Sequence, residues 1–220
     1  EPRVSLGIFL SYRRDDSRES VGRIHDHLCQ AFVPERIFLD VERQSAGADY
    51  REVIGTALDQ SEVVLVVIGP AWLTLAGADG RPRIDDTEDM VRLEVEMALA
   101  RGQNVVPLLV QGARMPSAAQ LPAPLAPLAY RNALPVRPDP DFRGDVLRLV
   151  EALRALAQVA ARERTRAAGA ATSFTLGYRP VSGEHAGARN VFTKNGAQGH
   201  SDVTGVNTTT GAVTINAATA

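Results

Sequence analysis

Glu94 is the residue whose position most needs a chemical explanation. It lies in a run from Thr87 to Arg101 that reads as one helix stopped by Gly102. On a helical wheel Val91, Val95, Ala98 and Leu99 form an apolar arc, which Met90, Leu93 and Met97 extend. Glu94 falls inside that arc, whereas Glu96 falls outside it on the Arg92 side. A carboxylate on a core-facing stripe is costly unless it is paired or functional. Two readings are open. Glu94 forms an ion pair with an arginine such as Arg13 or Arg14, or it sits in a crevice where it can stabilise developing positive charge.

Arg13-Arg14-Asp15-Asp16 follows directly on an apolar run. Such clusters commonly make a solvated turn and helix cap. The functional alternative is an arginine facing a ligand crevice and gripping phosphate or carboxylate bidentately. Trp72, after Gly69-Pro70, is a packing anchor or a crevice-edge indole able to stack on a base. His25 and His27 are two apart on a helix and so point to different faces, and with no neighbouring cysteine no metal site is expected. No G-x-S-x-G elbow supports a serine triad. Neither G-x-G-x-x-G nor a P-loop occurs before residue 160, so a dinucleotide fingerprint or Walker site is not supported. Lys194 is the one lysine, which nearly excludes Schiff-base chemistry.

These residues need a scaffold, and the chain has the length for one. It has 220 residues, 45% hydrophobic and 23% charged, a globular balance with room for one real core. A formal net charge of -2 gives no bulk basic field for nucleic acid or anionic membrane. The single Cys29 excludes an intramolecular disulfide framework. No apolar run reaches the ~18–20 residues that span a bilayer. No leader is read at the start, and a cytoplasmic location is expected. The chain opens on Glu1, which reads as a fragment or processing edge.

Up to about residue 160, apolar runs alternate with helical patterns. Val4–Tyr12 reads as a strand, and Asp16 or Ser17 as the cap of a helix bearing Val21, Ile24, Leu28 and Phe32 on one face. Arg36–Val41 is a second strand, and residues 44–48 form a loop carrying Gly47. Asp49 with Glu52 fits a capping box for a helix with Val53, Ile54, Ala57 and Leu58 inward. Val63–Ile68, apolar throughout, is a strand buried on both faces. Val105–Val110 is a fourth strand, edge-proximal because of Pro107, Ala133–Val136 a short fifth, and Phe142–Val159 a closing helix. This order predicts an α/β, doubly wound parallel sheet, with ligands at the C-terminal strand edge. Residues 1–160 are taken as one domain. Residues 161–220 are taken as a linker and a Gly/Thr/Asn-rich segment, disordered or small and β-rich, with Val203–Val206 and Ala212–Ile215 able to pair as a hairpin.

Several runs together resemble the TIR domain family, in order and spacing over residues 4–158. Phe9-Leu10-Ser11-Tyr12-Arg13-Arg14-Asp15-Asp16-Ser17 resembles its first signature box. Ile37–Glu42 with Ala46-Gly47 is similar to its second strand and BB loop, and Val63–Ile68 with Gly69-Pro70 to its third strand and turn. Asp89–Glu94 is similar to the stretch bearing a catalytic glutamate, and Val105–Leu109 to a later strand. The likeness is strongest to the bacterial, NAD-cleaving type. It implies a flavodoxin-like, five-stranded parallel sheet and hydrolysis of NAD+ to nicotinamide and ADP-ribose or a cyclic form. Carried over by position, Glu94 is the catalytic residue, with Ser11, Tyr12, Arg13, Asp40, Gly47, Trp72 and Met90 as substrate-binding candidates. Met90 stands where many NAD-cleaving members carry tryptophan, and its sulfur can cover a ring. NAD is then substrate, and no cofactor is expected. The resemblance also implies self-association through Asp40 to Tyr50, contacts with other TIR domains, and a bacterial immune, anti-phage effector role triggered by assembly.

Cleavage of this bond passes through an oxocarbenium-like state, and the leaving group is already cationic, so one carboxylate is sufficient without a metal. The competing function is a non-catalytic interaction module, an adaptor or host-signalling mimic, with Glu94 in a structural ion pair. A further alternative is another flavodoxin-like enzyme that uses a crevice glutamate as nucleophile.

Overall fold

The computed structural model describes residues 3–39, 49–172, 191–194, 197–200, 203–206 and 213–215, with side chains through residue 166. The chain forms two compact units, Glu1–Ser173 and Phe174–Ala220.

In the first unit five parallel strands, β1 (Ile8–Tyr12), β2 (Ile37–Phe38), β3 (Val63–Ile68), β4 (Asn104–Val110) and β5 (Leu134–Val136), lie in the order β2-β1-β3-β4-β5. That is the flavodoxin-like order, as expected. β1 is flanked by β2 and β3, with Ser11 opposite Val66. Strand alternation then divides the core. Ile8, Leu10, Val63, Leu65 and Val67 face α1 (Arg14–Ala31) and α4 (Phe142–Thr172), packing with Val21, Ile24, Leu28, Val146, Leu149 and Leu153. Phe9, Val64, Val66 and Ile68 face α2 (Tyr50–Asp59), α3 (Met90–Ala100) and the turns at Ala123–Tyr130. All six residues of β3 are buried, which explains its unbroken Val/Leu/Ile composition. Pro107 is tolerated because β5 pairs only with Leu108–Val110, so the first half of β4 has an open side.

The element ends differ from the sequence reading in ways that tertiary contacts explain. β1 starts at Ile8, because Val4 is drawn into a bridge with Phe32. Leu6 and Gly7 lead into it. A Cβ on Gly7 would collide with the Gln60 carbonyl, and the Gly7 amide donates to Glu62. α1 starts at Arg14 rather than after Asp16, and Asp16 instead accepts from the Ala71 amide at 2.8 Å, across the turn after β3. A Cβ on Gly69 would run into that carboxylate and displace it from the Ala71 amide. α2 is capped by Asp49, which accepts from the Arg51 amide at 2.9 Å. α3 starts at Met90, three residues later than Thr87, with Asp89 as its cap accepting from the Arg92 amide at 3.0 Å. β2 is Ile37–Phe38, its start set by a short 3-10 turn that closes on Arg36; residues 40–48 lie outside the described residues. α4 continues through Arg162–Arg166, which the sequence reading takes as a polar exit.

In the second unit β6 (Val191–Lys194) pairs antiparallel with β7 (Ala197–His200), and β8 (Val203–Val206) with β9 (Val213–Ile215). The β8–β9 pairing is the hairpin that the sequence allows as one of two readings of this segment.

Candidate active site

The C-terminal end of β1 delivers Ser11, Tyr12 and Arg13 to the crevice edge, and α1 begins at once with Arg14. α3 crosses this edge and carries Met90 and Glu94 one turn apart on the same side. Between them lies a cavity of about 390 Å³. Leu10, Tyr12 and Arg13 line it from β1, Arg14, Asp15 and Arg18 from α1, and Met90, Val91 and Glu94 from α3, with Arg83 closing the rim.

Glu94 is half-buried, and its Oε2 accepts from Ser11 Oγ at 2.6 Å. Ser11 itself is fully buried and does not line the cavity; it acts there only through this bond. The carboxylate is thus oriented from beneath by the sheet, while the helix sets its position along the wall. One of the arginines that could have sealed Glu94 is committed elsewhere. Arg13 is 2% exposed and forks onto Asp89, with Nη1 at 3.0 Å and Nη2 at 2.9 Å, while its Nε donates to the Trp72 carbonyl at 3.0 Å.

Asp89 is therefore a hub that the sequence reading missed. It caps α3, pairs with Arg13, and accepts from Arg83 Nε at 3.0 Å with its side chain 1% exposed. The available signal was an acidic residue just before the first periodic position of the helix. Arg92, read as lying on the solvated side of α3, is also buried. Its Nη1 donates to the Ile84 and Asp85 carbonyls at 3.3 and 2.9 Å and clamps the turn at Arg83–Asp85. Nearby, Tyr50 and Arg51 at the start of α2 hold Glu88. The Tyr50 hydroxyl donates to it at 2.8 Å and Arg51 Nη2 at 2.8 Å, and these bonds, Tyr50's first, keep the Glu88 carboxyl below the usual range.

Of the residues expected from the sequence, the structure brings Tyr12, Arg13, Met90 and Glu94 together on one cavity wall and places Ser11 behind Glu94. Trp72 is not among them. It is 1% exposed, packed in the core on the α2/α3 face of the sheet, and touches the site through its carbonyl and through its ring, 5.9 Å from the Arg13 guanidinium. Asp40 and Gly47 lie outside the described residues. Arg83 and Arg18 join the wall without having been expected. Among the described residues no group of three or more His, Cys, Asp and Glu side chains is placed to hold a metal ion, and no helix is long and apolar enough to cross a membrane.

Chemically, the cavity offers one oriented carboxylate, a thioether one helical turn away and a guanidinium-rich rim. The profile of the TIR domain family matches residues 8–150. Over 131 residues the chain is 27% identical to "NAD(+) hydrolase sarm1" of Drosophila melanogaster, an alignment that takes in 59% of this chain and 9% of that protein. Among solved structures it is similar to the TIR domains of the activated Roq1 resistosome, at 14% identity and a TM-score of 0.46 over 69% of this chain and 98% of that one. It is also similar to the TIR domain of the Toll-related receptor TRR-2 from Hydra magnipapillata, at 16% identity and a TM-score of 0.44 over 68% of this chain and 98% of that one.

Proposed function

This chain belongs to the TIR domain family, and from that premise we propose that it hydrolyses NAD+ at the nicotinamide–ribose bond, with Glu94 as the catalytic carboxylate. The observation that carries the reading is Glu94 on the wall of a 390 Å³ cavity, with one oxygen fixed by Ser11. The name of the Drosophila relative supports it from outside the structure.

The bond between the pyridinium nitrogen and ribose C1′ breaks with its electron pair leaving on nitrogen. Nicotinamide departs neutral and needs no proton. Positive charge develops across C1′ and the ring oxygen, and the Glu94 carboxylate stabilises it while accepting from the ribose hydroxyls. A water oxygen then bonds to C1′ and loses its proton through Glu94 to solvent, giving ADP-ribose. Capture of C1′ by the adenine of the same molecule gives the cyclic product instead. A partly apolar wall strengthens the electrostatic effect of the carboxylate, and Leu10, Met90 and Val91 supply that wall. Met90 is the side chain placed to cover the nicotinamide ring by a sulfur–aromatic contact. The arginines of the rim, Arg14, Arg18 and Arg83, bring positive charge to the side of the cavity that takes the dinucleotide's diphosphate. By the same reading the chain works as a bacterial immune effector that depletes NAD+ when assembled, with residues 40–50 as the contacting segment.

The test is NAD+ consumption by concentrated protein, with and without a crowding agent, wild type against Glu94→Gln. Glu94→Gln is expected to lower turnover by about 10²–10³-fold without shifting the melting temperature. No consumption by wild type at any concentration would leave a docking domain.

A further inference from the structure

Arg83 belongs to no strand or long helix, yet its backbone is firmly held. Its amide donates to the Leu75 carbonyl at 2.8 Å, and its own carbonyl accepts from the Asp86 amide at 3.1 Å. The turn it begins is clamped from behind by buried Arg92, and its middle residue, Ile84, is 3% exposed. The side chain is anchored at one point: Nε donates to Asp89 Oδ2 at 3.0 Å. Asp89 is in turn immobilised by the two-pronged Arg13 contact and by capping α3. Beyond Nε, the nearest acid is Asp15, whose Oδ2 lies 4.0 Å from Nη1, too far for a hydrogen bond. Among the described residues, Nε alone of the Arg83 side chain makes a hydrogen bond. The side chain is 38% exposed and lines the cavity.

This is the arrangement of a preorganised anion binder. The inner edge of the guanidinium fixes its plane, and the outer edge keeps its paired donors for a ligand. Arg13 cannot serve in that way, because both of its terminal nitrogens are used on Asp89. Arg18 is exposed and is held by no hydrogen bond among the described residues. The placement also fits the length of a nucleotide. Arg83 is tied to α3 at Asp89, and Glu94 lies five residues further, about 7.5 Å along the helix axis. A ribose at Glu94 whose 5′-phosphate is turned toward the start of α3 brings that phosphate to Arg83.

We infer that Arg83 is the anion-selecting residue of this cavity, receiving the diphosphate of the dinucleotide on its terminal amino groups. The inference rests on the reading that the cavity takes NAD+, and the experiment separates the two. ADP binding to the full chain is measured by calorimetry, beside kcat and KM for NAD+, for wild type, Arg83→Ala, Arg83→Lys and Glu94→Gln. Arg83→Ala is expected to weaken ADP and raise KM by about ten- to a hundredfold, with kcat within about twofold of wild type. Arg83→Lys should recover part of that loss, and Glu94→Gln should bind ADP as wild type does. Should Arg83→Ala lose its fold, Arg83→Gln carries the same comparison, since it can still donate to Asp89. If ADP binds wild type and fails on Arg83→Ala while no NAD+ is consumed, the anion site stands and hydrolysis falls. ADP binding unchanged in Arg83→Ala, or a fall in kcat at constant KM, overturns the assignment while leaving hydrolysis intact. A wild-type protein that binds no ADP overturns both.

Discussion

Ser11 on β1 and Glu94 on α3 are 83 residues apart in sequence and share a hydrogen bond of 2.6 Å. The bond crosses from the sheet to the helix packed above it. A hydroxyl with no exposure of its own thereby sets the direction of a carboxylate that faces a cavity.

Replacing Ser11 with alanine removes that orientation without removing the acid. Turnover of NAD+ should fall about tenfold, with KM little changed. In a Glu94→Gln background the same change should have almost no further effect, because the two side chains act as one unit. Independent, multiplying losses in the double variant would show that Ser11 does not work through Glu94.

Asp89 is tested by stability. Asp89→Ala leaves the Arg13 guanidinium buried without its partner, at an expected cost of about 3–5 kcal/mol. Replacing both, as Arg13→Met with Asp89→Leu, removes the buried charge as well and should recover a large part of the loss. Urea denaturation midpoints decide it. Equal midpoints for the single and double variants would mean that the pair has no special role in holding β1 to α3.

Asp145, in the first turn of α4, gives the fold an acid-sensitive point. Its side chain is 0% exposed, and it accepts from the Arg137 amide, Nε and Nη2, each at 2.9 Å, and from Arg148. These bonds, Arg137's side chain first, lower its pKa from 3.8 to about 2. A carboxylate with a depressed folded-state pKa contributes stability that is complete above its unfolded value. That stability is lost as pH falls through the folded value, here between roughly pH 4 and 2. Allowing for screening at the half-exposed Arg137, the contribution is on the order of 1–2 kcal/mol. Asp145→Asn should remove it at neutral pH and flatten the acid limb of the stability curve. An unchanged limb would assign acid unfolding to other carboxylates.

The parts of this architecture that follow from periodicity were legible in the sequence. Val63–Ile68 could be read as a doubly buried strand because every position is apolar, and it is. Glu94 stood out because its neighbours at three and four residues are apolar, and the helix does turn it toward the sheet. Helix starts were less legible. Asp85-Asp86-Thr87-Glu88-Asp89 contains several residues able to cap a helix, and local propensity does not rank them. The choice of Asp89 is made by Arg13, brought in from β1. In the same way Asp16 looked like a cap, but its acceptor is taken by the Ala71 amide. Arg83 gave no signal, since what fixes it is a carboxylate six residues on, two backbone carbonyls held by Arg92, and the carbonyl of Leu75. Trp72 stayed open between two readings for the converse reason, and the structure shows the packing anchor. A large aromatic after a turn suits either a crevice or a core, and the neighbouring strands fill the space around it.

The reach of α4 to Thr172 has a practical side for anyone preparing the TIR domain alone. Glu62 collects Arg36 at 3.3 Å and Arg164 at 3.0 Å as well as the Gly7 amide, so the late turns of α4 are fastened to the rim from which β1 and β3 start. Ala157, Gln158, Ala161 and Arg164 also line a surface hollow together with Val4 and Ser5. A gene truncated where the amino-acid texture changes, near residue 160, would sever a continuous helix and remove the Arg164 tie to Glu62. An expression boundary after residue 172 keeps that brace whole.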